Sequence, residues 1–148
     1  MAEINVAVER DIDAPPDRVY QYIADYKQHH DKWLPPEYSN YQVQNTGSAE
    51  TTVSYHLKTG SRERDYHMQV NKADSGRVVT ERDTTSSLVK TFTVEPASGG
   101  SRVRIETRWQ GSGGVGGFFE RTFAPRVLSA LYAVELQRLD AYARRQAS

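Results

Sequence analysis

The 148-residue sequence contains no cysteine. Disulfides, thiolate metal sites and a cysteine nucleophile are therefore excluded at the outset. No apolar run is long enough to cross a bilayer, which takes about 20 predominantly apolar residues in a helix. The opening stretch, Met1 to Arg10, has neither a basic start nor an apolar segment of signal-peptide length, so a cytoplasmic location is expected. Net charge is also absent, because 19 basic groups cancel 19 acidic ones. Arg outnumbers Lys 14 to 5, but the arginines are interleaved with Asp and Glu, so no basic face attracts nucleic acid. Leu, Ile, Val and Phe make up only 29 of the 148 residues, close to the composition of disordered chains. Disorder also requires unbalanced charge, and nine Tyr and two Trp supply further apolar bulk, so a packed fold is expected. A chain of this length predicts one domain over 1–148.

What is present is mostly period-two alternation. Ile4, Val6, Val8 and Ile12 share one face of a strand over 3–12, and Arg10 interrupts that face. Asp13-Ala14-Pro15-Pro16 ends it, since proline offers no N–H to a ladder. Val19, Tyr20, Tyr22, Ile23 and Tyr26 then recur at helical spacing, predicting a helix near 15–25 and a short second one near 26–32. Six further strands follow at 38–44, 51–59, 62–72, 77–84, 88–95 and 102–110, separated by turn residues such as Thr59-Gly60-Ser61 and Asp74-Ser75-Gly76. A glycine-rich loop over 111–117 leads to one long helix from Phe118 to about Gln146, which Pro125 should kink or divide. Its apolar stripe reads as Val127, Leu128, Leu131, Val134, Leu139 and Tyr142.

The order strand, two helices, six strands and a long helix predicts an α+β fold: a seven-stranded antiparallel sheet curved around the C-terminal helix. A single helix is about 10 Å wide. Seven strands at about 4.8 Å spacing are far broader. The unfilled space should form a cavity.

The stretch Ile12-Asp13-Ala14-Pro15-Pro16, followed by Val19-Tyr20-Gln21-Tyr22-Ile23-Ala24-Asp25 and Trp33-Leu34-Pro35, resembles the opening of the START/SRPBCC superfamily, in its polyketide cyclase/dehydrase-like branch. Gly99-Gly100-Ser101-Arg102-Val103 resembles that family's turn into its last strand, and the C-terminal helix matches as well. The resemblance implies a helix-grip fold with an internal cavity for a hydrophobic or amphipathic small molecule. It implies no single activity, because the scaffold hosts carriers, hormone binders and aromatic cyclases alike.

Candidate site residues come from polar or aromatic groups on apolar faces. Lys90 shares a face with Leu88 and Phe92, and Glu135 lies within the helix stripe one turn beyond Leu131. A charge in an apolar interior must be paired. The plainer expectation is that Lys90 snorkels to an edge and Glu135 meets Arg138 on the helix surface; the alternative is that the two pair with each other, with Arg138 or with a polar ligand group. Glu81 and Arg82 are adjacent, and the pattern leaves open which points inward. Tyr22, Tyr55, Tyr66 and Tyr132 lie on apolar faces, and each hydroxyl needs a partner. With Met68, Trp109 and Leu128 these residues form the candidate cavity lining. His56 and His67 fall on the wet side of neighbouring strands, and adjacent His29 and His30 face different ways, so no metal site is expected. Gly111-Ser112-Gly113-Gly114-Val115-Gly116 fits G-x-G-x-x-G, but no strand follows to complete a dinucleotide-binding unit, so no cofactor is expected. The expected partner is a small hydrophobic ligand held by a carrier, in a monomer or homodimer. The alternatives are a cofactor-independent cyclase that folds a flexible substrate and moves one proton, and a dimeric interaction module whose cavity has collapsed.

Overall fold

The computed structural model describes residues 3–46, 50–60, 62–73, 76–111 and 114–147. Strand β1 (Glu3–Ile12) is followed by helix α1 (Pro16–Ala24) and a single 3-10 turn at His30–Lys32. Then come β2 (Tyr38–Thr46), β3 (Glu50–Thr59), β4 (Arg62–Lys72), β5 (Val78–Asp83), β6 (Val89–Ala97), β7 (Gly100–Gln110) and helix α2 (Gly114–Ala147). The sheet order is β1-β7-β6-β5-β4-β3-β2, and every pairing is antiparallel. Strands β2 to β7 form a meander of hairpins, and β1 adds to its far edge beside β7. The curved seven-stranded sheet with a long C-terminal helix is the helix-grip arrangement.

Alternation sets the two faces. Ile4, Val6 and Ile12 of β1, Val53, Tyr55 and Leu57 of β3, Met68 and Val70 of β4, and Val103 and Ile105 of β7 are all buried. Arg102 and Arg108 of β7 lie on the exposed face. Arg102 and Arg104 there meet Asp11 and Glu9 of β1 across the ladder. In α2, Leu131, Tyr132, Glu135, Leu136, Leu139, Tyr142 and Ala143 recur at three- and four-residue spacing and face the sheet.

The turn between β6 and β7 locks α1 onto the sheet. Gly99 has φ +81°, a backbone conformation that side-chain-bearing residues rarely adopt. At Gly100 a Cβ would collide with the Ile12 carbonyl oxygen, so only glycine lets β1 lie this close. The next residue, Ser101, donates its hydroxyl to the Ala14 carbonyl at 2.6 Å, just before Pro16 starts α1. At the other end of α1, the Trp33 indole N–H donates to Tyr22 O at 3.1 Å and fixes the segment that carries the 3-10 turn.

Three expectations are corrected. The glycine-rich loop is shorter than 111–117, because α2 already includes Gly114, Gly116 and Gly117; Ser112 and Gly113 lie outside the described residues. Helix α2 runs on through Pro125 as one element and is not divided there. A proline removes one hydrogen bond, and a long helix held along its length by a sheet tolerates that local loss. Val127 and Val134 do not belong to the buried stripe, being 40% and 42% exposed. The stripe that packs runs through 128, 131, 132, 135, 136 and 139, and each one-residue step turns a side chain about 100° around the helix.

Candidate functional site

Two clusters of buried polar groups sit inside the concave face. The first joins β2, β6 and α2. Lys90 Nζ lies 3.1 Å from Glu135 Oε2 and 3.4 Å from Oε1. It also donates to the Tyr38 hydroxyl at 3.0 Å, and Tyr38 donates to Glu135 Oε1 at 2.8 Å, closing a ring of three side chains. The Lys90 ammonium lies over the rings of Tyr132, Phe92 and Tyr38, 4.8 to 5.2 Å from their centroids. Aromatic faces stabilise a desolvated cation. Lys90 is 3% exposed and Glu135 0%, so the pair is cut off from water. Burial is the largest single influence on the Lys90 pKa and pulls it down, but the Glu135 carboxylate, Tyr132 and Glu81 together outweigh it, and the net shift is upward. Burial raises Tyr38 well above its usual range and Tyr132 to about 12, so both stay neutral phenols. The Tyr132 hydroxyl is 2.7 Å from Thr107 Oγ1.

The second cluster surrounds Glu81, and here the pairing register decides what the pattern left open. Glu81 stands directly opposite Lys90 on the neighbouring strand, and both point inward, while Arg82 is exposed. The Glu81 carboxylate accepts from Tyr26 at 2.6 Å and from Tyr55 at 3.1 Å. His30 stacks on Tyr26 with ring centroids 4.1 Å apart, and its Nδ1 donates to Ile23 O at 2.7 Å. His30 Nε2 is 3.7 Å from Glu81. That separation would suit an ion pair, but burial drops the His30 pKa to about 4, so the ring is neutral at pH 7 and Nδ1 carries the proton. Every buried side-chain nitrogen and oxygen among the described residues has a hydrogen-bond partner.

Lys90 does not snorkel and Glu135 does not meet Arg138 on the surface: the two pair directly in the interior, and Arg138 donates to Trp33 O at 3.1 Å. Tyr132 and Phe92 contact Lys90, and Tyr55 meets Tyr38 edge-on at 5.1 Å and lies tilted against Tyr66 at 5.7 Å. Leu131, Tyr132 and Glu135 share the buried face of α2, with half-buried Leu128 one turn before Tyr132. Trp109 is two residues beyond Thr107 on β7, level with Leu88, and both are half-buried. Met68 is buried in the core at 1% exposure. Tyr22 is not part of this gathering. It faces the other end of α2, edge-on to Tyr142 and His29 at 5.3 Å each, because α1 crosses the sheet near the last turns of α2.

Tyr26, His30, Tyr38 and Thr107 were not legible as site residues. A bulge between Ser39 and Gln42, with Asn40 at φ +52°, aims Tyr38 at Lys90, and a bulge leaves no trace in simple alternation. His56 stands opposite Asp65 and His67 opposite Ser54, and His56 is held by Asp65 at 2.7 Å and Glu63 at 3.0 Å. Among the described residues no group of three or more His, Asp or Glu is placed to hold a metal ion. No helix there is long and apolar enough to cross a membrane.

A groove of roughly 430 Å³ opens elsewhere, between the end of α1 and the ends of β3 and β4. None of the expected lining residues is in its wall, which includes Tyr20, Asp25, Tyr26, Lys27, Thr51 and Lys72.

Comparison with known proteins agrees with this architecture. The solution structure of KanY protein is 39% identical, covers 97% of this chain and 99% of its own, and superposes with a TM-score of 0.84. TTHA0849 from Thermus thermophilus is 19% identical with a TM-score of 0.81, over 97% of this chain and 99% of that one. The Zhui aromatase/cyclase from Streptomyces sp. R1128 is 14% identical with a TM-score of 0.81, over 99% of this chain and 97% of that one, a likeness of fold. No curated protein matches the sequence. The model of the family described as polyketide cyclase / dehydrase and lipid transport matches residues 3–144, and the chain belongs to that family.

Proposed function

We propose that the chain, as one ligand-binding domain over 1–148 in the cytoplasm, holds a small hydrophobic molecule bearing oxygen atoms against the polar floor formed by Tyr38, Lys90 and Glu135. The observation that carries this reading is the closed Lys90–Glu135–Tyr38 ring on the concave face, beside the Glu81 cluster. An ion pair there is a poor way to stabilise a core, since apolar residues of similar volume usually do as well or better. It is a good way to recognise a carbonyl or phenol, because a ligand oxygen can take the place of the Tyr38 hydroxyl as acceptor for Lys90. Half-buried Tyr66 of β4, Leu88 just before β6, Trp109 of β7 and Leu128 of α2 supply the apolar walls. Met68, Phe92, Leu131 and Tyr132 back them, and Tyr55 bridges to Glu81.

Carriage without chemistry is the first reading. A second is favoured by one observation. Tyr38 accepts from an ammonium and donates to a carboxylate, so a proton leaving a ligand can be relayed through the Tyr38 hydroxyl to Glu135, with Tyr38 ending as a neutral phenol, while Lys90 steadies the negative charge left on a ligand oxygen. That is the equipment of a cofactor-independent cyclase, and the aromatase/cyclase named above shares this fold. Native mass spectrometry of the purified protein, with extraction of anything bound, tests the binding reading. An oxygenated lipid, polyketide or aromatic molecule at one per chain is expected, and its loss on Leu128→Trp is expected too. A protein that is ligand-free and takes up no such molecule overturns it. Turnover that vanishes in the Lys90→Met/Glu135→Leu double variant marks an enzyme, and an affinity change alone marks a carrier.

A further inference from the structure

Helix α1 is nine residues long and packs over β5, β6 and β7. It ends at Ala24, before reaching β3 and β4. Thr51 and Lys72 lie on the same strand faces as buried Val53 and Val70, so this uncovered part of the concave face becomes the 430 Å³ groove. Its size falls within the range of roughly 300–1,000 Å³ that small-molecule sites occupy.

The wall has an apolar side and a cationic side. Tyr20, half-buried, and Ala24 and Tyr26, both buried, form the first. Lys27 and Lys72 form the second, and neither ammonium has an ion-pair partner among the described residues. Among the described residues Asp25 is the one acid in the wall, and its Oδ1 accepts the backbone N–H groups of Lys27 at 3.2 Å and Gln28 at 3.0 Å. The carbonyls that end α1 are also occupied: Gln21 O accepts from Asp25 N, Tyr22 O from Trp33 Nε1 and Ile23 O from His30 Nδ1. The negative end of the helix is thereby capped, and the two ammonium groups outnumber the Asp25 carboxylate opposite an apolar wall.

We propose that this groove is a second ligand site, which takes a small anion on a flat apolar body, such as an aromatic carboxylate or sulfonate, with its ring against Tyr20 and Ala24 and its charge on Lys27 and Lys72. The site is separate from the Lys90 floor. Lys72 ends β4 at one end of the sheet, whereas Leu88 and Trp109 lie toward the other, where α2 begins.

The test is a titration with 8-anilinonaphthalene-1-sulfonate followed by amide chemical shifts, with uncharged N-phenyl-1-naphthylamine as the parallel arm. The sulfonate is expected to move the amides of residues 20–27, Thr51 and Lys72. Charge reversal in Lys27→Glu/Lys72→Glu is expected to weaken that binding at least ten-fold. The uncharged arm is expected to leave these amides unmoved, and Leu128→Trp to leave the groove shifts in place. Shifts confined to Leu88, Trp109 and Leu128, equal binding of the uncharged arm in the groove, or unchanged affinity after charge reversal would each overturn the proposal while leaving the Lys90 reading intact.

Discussion

Replacing Lys90 with methionine isolates what the buried pair does for the fold. Methionine keeps most of the volume and removes the charge, so the change acts on electrostatics more than on packing. Glu135 is 0% exposed and would be left with Tyr38 alone as a donor. Taking one partner from a buried ion pair typically costs about 3–5 kcal/mol, because the remaining charge keeps its desolvation penalty and loses its compensation. With a urea slope of about 2 kcal/mol per molar, the unfolding midpoint falls by roughly 2 M. The Lys90→Met/Glu135→Leu double variant removes both charges and is expected to recover most of the loss, leaving a coupling energy of about 2–4 kcal/mol in the cycle. Fluorescence of fully buried Trp33 and half-buried Trp109 against urea at pH 7 reads the wild type, Lys90→Met, Glu135→Leu and the double variant. A loss under about 1 kcal/mol in the single variant, with no recovery in the double, would refute the view that the pair is desolvated and mutually dependent.

The remaining expectations follow from the same core. The folded-state pKa of Lys90 lies above its ordinary 10.5, so its contribution is complete below that pH and is lost as pH rises through the raised value; unfolding titrations from pH 9 to 12 should show stability declining, and less steeply in the double variant. His30 is the opposite case. Its pKa falls from 6.5 to about 4, so burying it neutral stabilises the fold above pH 6.5 and that gain drains away as pH drops toward 4, by roughly 3 kcal/mol in all. Denaturation midpoints between pH 7 and 4 should fall in the wild type and flatten in His30→Phe, and parallel slopes for the two would contradict the assignment. Gly100→Ala drives a Cβ into the Ile12 carbonyl and should cost about 1–3 kcal/mol, seen as a lower melting temperature with unchanged ligand stoichiometry.

Much of this molecule was readable from residue order. Alternation placed all seven strands within a few residues of their ends, since a half-buried strand must repeat every two residues whatever it pairs with. Pro15-Pro16 marked the start of α1 and Gly99-Gly100 the β6–β7 turn, because both depend on local backbone chemistry. That a lysine and a glutamate on apolar faces had to find partners was also readable, being a statement about desolvation alone. Which partner each found was not. Only the β5–β6 register set Glu81 opposite Lys90 and turned Arg82 outward. Only a bulge aimed Tyr38 into the ring, and only a single 3-10 turn carried His30 onto Tyr26. The breadth of the sheet led to an expected cavity lined by residues such as Lys90 and Glu135, whereas the groove at the end of α1 has a different wall and exists because of where a nine-residue helix stops. Strand and helix periods are properties of a chain segment, whereas contacts between positions fifty or a hundred residues apart exist only after the sheet has curled around its helix.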